Sequence, residues 1–504
     1  MKRNLIKISL STLTIGTIIT LLPNYLTHAK AQEIDISYSN VEDYKKEDKY
    51  KEDLRVKGHE KWTKALTTVE TKAIDHFKIG TINPFLQYID GQINDVPDTY
   101  KFTNEKNETK EMDTKHKKES VKILDDLLVK KSLKLRETTH VYKYLKVDEV
   151  NFRLGNIYKK DNPSVIDLNK ARVIEKGFKY GISTMYLDPY LTKPKSLNNG
   201  EYILLNLKLP KDTRIGYLDN NGHILLQRDQ GIEVTGQRIV TENGRQVIEI
   251  EAELVNLRKV EGKINYKENQ MNEIFKKAIE RSVKNNIESP IKINPNLLRN
   301  TLVKVHTKSL NASFAMDRAE ILLQTLAQNV PSDLLIKTLE QMNSNPAIYI
   351  TDSNWNTAEG ILKLPRVGSP KTFAYFVTTE KYLILNLDTH KYELDTLKNL
   401  ELFKPAPETE IQTLIHEFGH AVDYLILNNL SHTREFKNLY EREKNNIHIE
   451  NYMKQDSVEF FASTFSYMFS PNTQYRERIA NEAPETVQYI KNKLKETGLV
   501  RENK

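Results

Sequence analysis

The chain has 504 residues, no cysteine and a formal net charge of +7. That length exceeds what one comfortable core holds and suggests two domains. The missing cysteines exclude disulfides, a thiolate metal site and a cysteine nucleophile, so any metal must be held by His, Asp or Glu. Lys2, Arg3, Lys7 and Lys30 lie in an acid-free leading segment, which leaves +3 for everything after residue 31; so near a balance gives no electrostatic argument for a nucleic-acid partner.

The leading segment has the pattern of a secretory signal peptide over residues 1–31. Its basic start runs into an apolar stretch at residues 8–22, and Ala29-Lys30-Ala31 offers a small-x-small cleavage site before Gln32. A membrane anchor is the rival reading, but the stretch is short and no later one approaches eighteen apolar residues. Secretion, without a stable membrane anchor, is the expectation.

Residues 41–80 are dense in Lys and Glu with apolar residues at helical spacing, and predict two surface helices whose mixed charges form a solvated face. From about residue 138 the period changes. "THVYKYLKV", "YILLNLKLP", "RIGYL", "HILLQ" and "QVIEIEAEL" alternate or run apolar, separated by turn signals such as "NNG" and "ENG". A mostly antiparallel β region therefore follows a helical one. Helical spacing returns near Lys259, and a helical linker is expected over 261–295 between a first domain at 32–260 and a second at 296–504. The second should hold a helix at about 314–343, strands around "PAIYI" and "FAYFVTTEKYLILNLD", and three helical stretches to the C-terminus. Both halves read as α+β.

"IHEFGHAVDY", residues 415–424, carries the chemistry. Ile411, Leu414, Ile415, Phe418, Ala421, Val422 and Leu425 recur three and four apart, so His416 and His420 sit one turn apart on one side of a helix and can converge on one ion. Glu417 lies beside them, within reach of a water on that ion. Gly419 inside a helix costs about 1 kcal/mol against Ala and implies a close approach. Asp423, seven residues after His416, is a candidate partner for an imidazole, or a solvent-facing acid. A third ligand is less determined. Glu459 in "NYMKQDSVEFFASTFSYMF" fits, but it equally fits the N3 position of a capping box opened by Asp456. His432 and His448 are rivals in a polar stretch where solvated histidines are common.

"HEFGHAVD", a tyrosine seven residues before the glutamate of "VEFFASTF", "SPNTQYRERIANEAPETVQYI" and, upstream, "LAQNVPSDLLIKTLEQMNSNPAIYITD" together resemble the catalytic domain of the anthrax lethal factor family of zinc endopeptidases, over about residues 300–500. The resemblance implies a zincin-like fold, one Zn²⁺ held by His416, His420 and Glu459, Glu417 as general base and acid, and Tyr452 stabilising the oxyanion. The first half, through "VEDYKKEDKYKEDLRVKGHEKW", "HVYKYLKVDEVNF", "GEYILLNLKLP" and "VIEIEAELVNLRK", resembles the N-terminal domain of the enzymatic components of iota-type and vegetative insecticidal binary toxins. That resemblance implies an ADP-ribosyltransferase-like α+β domain that is inactive and docks on an oligomeric pore-forming component. An active transferase needs Arg, Ser-Thr-Ser and a paired Glu where this chain has Lys143, Ser183-Thr184-Met185 and Asn221-Gly222-His223. Lysine does not replace arginine's planar fork, and histidine cannot supply the carboxylate. Glu249-Ile250-Glu251 spells E-x-E but lies in a later alternating strand, where it reads as a polar face.

The expectation is a secreted zinc endopeptidase, the enzymatic half of a binary toxin, carried into the host cytosol by a separate pore component. The alternatives are a zinc protease acting outside the cell on surface or matrix proteins, and a transferase toxin with a relic metal helix. The missing cysteines suit passage through a narrow pore, since no crosslink resists unfolding.

Overall fold

The structure is a computed structural model that describes residues 48–500 except 90, 95, 97, 104–108, 151–155, 195–200, 286–291, 343, 354–373 and 388–406. The segment expected to be a signal peptide lies outside these residues. Among them, no helix is long and apolar enough to cross a membrane.

The molecule is α+β with two large apolar cores. Its first half opens with helical residues 48–53, which lead into a π-helical turn, Leu54–Gly58, and helices His59–Ala65 and Thr68–Lys78. The expected pair of surface helices is thus more broken and less exposed than the charge pattern suggests. A reciprocal capping box between Thr67 and Glu70 restarts the chain, and Trp62, Ile74 and Phe77 are buried.

The strands of this half are β1 (Thr99–Thr103), β2 (Thr109–Asp113), β3 (Leu133–Lys134), β4 (Thr139–Lys146), β5 (Tyr180–Ser183), β6 (Tyr202–Leu209), β7 (Arg214–Tyr217), β8 (Ile224–Leu226), β9 (Gln230–Glu242) and β10 (Arg245–Val255). They form a five-stranded sheet in the order β4-β6-β10-β9-β5, a three-stranded sheet β3-β7-β8 and the hairpin β1-β2. β6 is an internal strand, antiparallel to β4 and parallel to β10, which is why its sequence runs apolar where an edge strand would alternate. β9 and β10 join through Asn243 and Gly244, both at positive φ, the backbone that a two-residue hairpin turn requires.

The helix Leu257–Asn285 covers most of the segment expected as a linker. Val260, Ile264, Met271, Phe275 and Ile279 bury one side of it in the second core. The sheet of that core has β11 (Val303–His306), β12 (Ile348–Thr351), β13 (Ala374–Val377) and β14 (Tyr382–Asn386) in the order β11-β12-β14-β13. β11, β12 and β14 run parallel, while β13 is an antiparallel edge. The single helix expected at 314–343 is two, Ala312–Asn329 and Ser332–Met342. Pro331 disfavours helical backbone at Val330, which is extended with ψ 135°.

Beyond the sheet the expected three helical stretches are five α-helices among the described residues: Pro407–Leu425, Arg434–Glu443, Ser457–Met468, Thr473–Glu482 and Pro484–Glu496. Thr433, Asp456 and Asn472 each cap a new start with a side-chain oxygen, and Pro484 opens the last helix at its first turn. Apolar periodicity reads through such short interruptions, so capping residues mark the true boundaries.

Candidate metal centre

The helix Pro407–Leu425, the motif helix, is fixed by its apolar side. Ile411, Leu414, Ile415, Phe418, Ala421 and Val422 are all buried. At roughly 1.5–3 kcal/mol for each large side chain, this stripe holds the helix whether or not an ion binds. Near its start, buried Glu410 ion-pairs with Arg318 from the helix Ala312–Asn329. Against it packs the helix Ser457–Met468, the acid helix, with Gly419 facing Ala462: a Cβ at Gly419 would come within 3.3 Å of both Cα and O of Ala462. The glycine is there because two backbones meet.

This crossing brings His416, His420 and Glu459 together, with one donor atom from each within 4.8 Å of the others. Glu459 Oε2 lies 3.0 Å from His416 Nε2 and 3.5 Å from His420 Nε2. Donors about 2.0–2.1 Å from a tetrahedral Zn²⁺ stand roughly 3.3 Å apart, and both Glu459–imidazole distances are close to that spacing. The two imidazole rings lie 4.7 Å apart, centroid to centroid, with their planes close to perpendicular at 85°.

The capping alternative for Glu459 resolves in the geometry. Asp456 Oδ1 accepts from the backbone N–H of Val458 and of Glu459, while the Glu459 carboxylate turns to the imidazoles. Half of the box forms, and the acid that would close it faces the cluster. Burial pushes the Glu459 carboxyl up, but hydrogen bonds from His416 and His420 outweigh it and hold the group well below the usual range. For His420 burial works against the charged form, yet Glu459 and the charges of Glu417 and Asp423 raise its pKa. Such a concentration of coupled groups in one cleft marks a site.

Glu417 is 7% exposed and points beneath the edge strand, where the Phe376 N–H donates to its carboxylate. Burial raises its pKa more than the neighbouring imidazoles lower it. Tyr452, on the 3₁₀ turn Tyr452–Lys454, is 47% exposed with its ring 5.9 Å from that of His416. Burial of its hydroxyl, then the Glu459 and Glu417 charges, push its pKa upward, so it keeps a proton to donate.

Asp423 is neither solvent-facing nor hydrogen-bonded to an imidazole. It is buried and accepts from the backbone N–H and the hydroxyl of Ser431, at 3.0 and 2.6 Å, which pins the turn after the motif helix. His432 and His448 are exposed and do not join the cluster. Sequence reasoning missed Phe376 and two further residues: Ser463 Oγ lies 3.1 Å from His416 Nδ1 and 3.1 Å from Glu450 Oε1. Ser463 follows Glu459 by one helical turn, a spacing that signals a shared face; nothing in the linear pattern points to Glu450.

In the first half, the positions where a transferase would hold its nucleotide have internal partners. Lys143 and His223 both bind Asp188, and His223 stacks on Tyr190 at 4.2 Å. Ser183 is buried and donates to the Met185 carbonyl, and Thr184 is buried. Glu249 is buried, bound by Arg238 and Asn206, while Glu251 pairs with Arg238.

A family model described as anthrax toxin lethal factor, N- and C-terminal domain, matches residues 291–493. Another, the lethal factor middle domain, matches residues 82–255. Lethal factor of Bacillus anthracis is 26% identical over 333 residues, 64% of this chain and 37% of that protein. Pro-Pro endopeptidase of Clostridioides difficile is 30% identical over 81 residues, 16% of this chain and 36% of its own. The matched regions thus span little more than a third of these relatives' lengths. Among solved structures, the ADP-ribosyltransferase C3larvin toxin of Paenibacillus larvae is 21% identical with a TM-score of 0.31, over 39% of this chain and 92% of that one. The chain is thus similar to lethal factor, its first half matching the middle-domain model and its second half the model of the N- and C-terminal domain.

Proposed function

We propose that the chain is a zinc endopeptidase and the enzymatic component of a toxin. The observation that carries this reading is the convergence of His416, His420 and Glu459 beside a buried Glu417 and beneath an edge strand. The three side chains hold one Zn²⁺, which when bound supplies a Lewis acid that lowers the pKa of water and polarises a carbonyl. Glu417 takes the proton of the attacking water and passes it to the leaving amine. The Phe376 N–H orients the carboxylate for that transfer. Tyr452 donates its hydroxyl hydrogen to the oxyanion, a charge that the ground state lacks. β13, at the edge of its sheet among the described residues, offers main-chain groups to an extended peptide.

Residues 32–260 act as an inactive, ADP-ribosyltransferase-like adaptor that binds an oligomeric pore-forming component, after export directed by residues 1–31. The engaged side chains of Lys143, Ser183 and His223 support the inactive reading, since a nucleotide would have to displace the Asp188 contacts of Lys143 and His223 and the bond from Ser183 to the Met185 carbonyl. The deciding experiment is cleavage of a peptide library, Pro-Pro sequences included, by the full chain with and without a chelator. Cleavage that chelation abolishes and zinc restores is the expected result. NAD turnover that disappears on mutating Ser183 or Glu251 would instead favour the transferase reading. Binding of the chain to a pore component separates delivery into cells from action outside them.

A further inference from the structure

We infer that Ser463 and Glu450 position His416 through a directed hydrogen-bond chain, and that the same chain ties the metal centre to the turn bearing Tyr452. The inference rests on the metal-site reading above. Ser463 is fully buried, and its hydroxyl sits between His416 Nδ1 and Glu450 Oε1, 3.1 Å from each. A serine hydroxyl has one proton, and a carboxylate only accepts. The proton of Ser463 therefore points to Glu450, and its oxygen accepts from an Nδ1–H of His416. With Nδ1 fixed as a donor, Nε2, which bonds the Glu459 carboxylate in this structure, is the nitrogen left to present a lone pair once an ion takes the place of that proton. The other carboxylate oxygen of Glu450 accepts from the Tyr467 hydroxyl at 2.6 Å, so Glu450 is held at both ends.

Helix packing explains why the carboxylate arrives by way of a serine. The motif and acid helices touch at Gly419 and Ala462, one residue from Ser463, which favours a short side chain there. The acid then comes from the segment ahead of the acid helix. Glu450 precedes Tyr452 by two residues, and Tyr440 anchors the far end of the same turn by donating to the Lys454 carbonyl at 2.7 Å. The residue that orients the ligand and the residue that donates to the oxyanion thus share one short, doubly pinned stretch.

The test uses Ser463→Ala, Glu450→Gln and the double variant in the full chain, with two readouts besides activity. In the metal-free protein, ¹⁵N NMR of labelled histidines should show an exchange-protected Nδ1–H on His416, lost in Ser463→Ala. Competition with a chromophoric chelator should show zinc affinity weakened roughly 10- to 100-fold in each single variant. The double variant should be no weaker than Ser463→Ala alone, because both act through one hydroxyl. Ser463→Thr, which keeps the hydroxyl, should restore the protected proton. An unprotonated Nδ1 in the wild type, or zinc affinities within twofold of it in both single variants, would overturn the inference. A wild type that binds no zinc would refute the metal reading, and the NMR arm would still judge the hydrogen-bond chain.

Discussion

Glu417 and Glu459 are both carboxylates in one cleft, pushed in opposite directions by their neighbours. Glu459 is bonded by two imidazoles, which hold its carboxyl well below the usual range despite its burial. Burial raises the Glu417 carboxyl more than the two imidazoles lower it, and a bound dication beside it would oppose that rise. Glu417→Gln should retain one zinc by metal analysis and lose roughly 10²–10⁴-fold in kcat. Tyr452→Phe should lower kcat by roughly 10²-fold with KM little changed, because the hydroxyl is used in the transition state. Asp188 gives a stability test away from this site. Burial would raise its pKa, but hydrogen bonds from His223 and Lys143 and the Lys143 charge bring it below 3.8. Its contribution is fully present above the unfolded pKa of about 3.9 and is lost as pH falls through the depressed folded value. Asp188→Asn should cost roughly 2 kcal/mol at pH 7 in urea denaturation, and the gap from wild type should narrow at pH 3.

At the scale of elements, the motif helix could be read from sequence because its information is local: a 3.6-residue apolar stripe, two histidines one turn apart and a glycine with no helical reason to be there. The glycine's reason is the acid helix, and Gly419→Ala tests it. The substitution gains about 1 kcal/mol of helix propensity but places a Cβ 3.2 Å from Phe465 Cδ1 and 3.3 Å from the Ala462 backbone. Backbone yields less than a side-chain tip, so we expect net destabilisation of about 1 kcal/mol. Zinc affinity should also fall several-fold, as the histidines and Glu459 separate; both quantities follow from denaturation and chelator competition. Contacts of long sequence separation were not legible. Ser463 meets His416 across 47 positions, and Phe376 reaches Glu417 from an edge strand. No periodicity encodes either, and Asp423 misled for the same reason: its helical spacing suited an imidazole, but a turn eight residues on supplied Ser431 instead. Pro331 was legible in principle, since a residue before proline leaves the helix, yet the apolar stripe runs on through it.

At the scale of the molecule, the two halves each show their own periodicity in sequence, but their junction does not. Ile182 of β5 is buried in the second core, and Leu310, from the segment after β11, is buried in the first. The exchange is stitched by main chain. Ile182 N–H donates to the Ser309 carbonyl at 2.8 Å, Ser313 donates to the Gly177 carbonyl and accepts from Lys179 N–H, and Asn311 donates to the Val150 carbonyl. Gly181 sits at the centre, where a Cβ would fall 1.7 Å from the Leu310 carbonyl oxygen, a distance no side-chain rotation relieves. Gly181→Ala must therefore push the Leu310 segment away and pull two buried residues from their cores. A lost Leu or Ile contact costs roughly 2–5 kcal/mol, enough to uncouple halves that have separate cores. Calorimetry of the wild type should show the halves unfolding together. In Gly181→Ala the transition should split, with the first half melting at lower temperature. The metal centre lies within the second core, so zinc binding should survive while the coupling is lost. A single unshifted transition in the variant would mean that the exchanged residues do not join the two halves energetically.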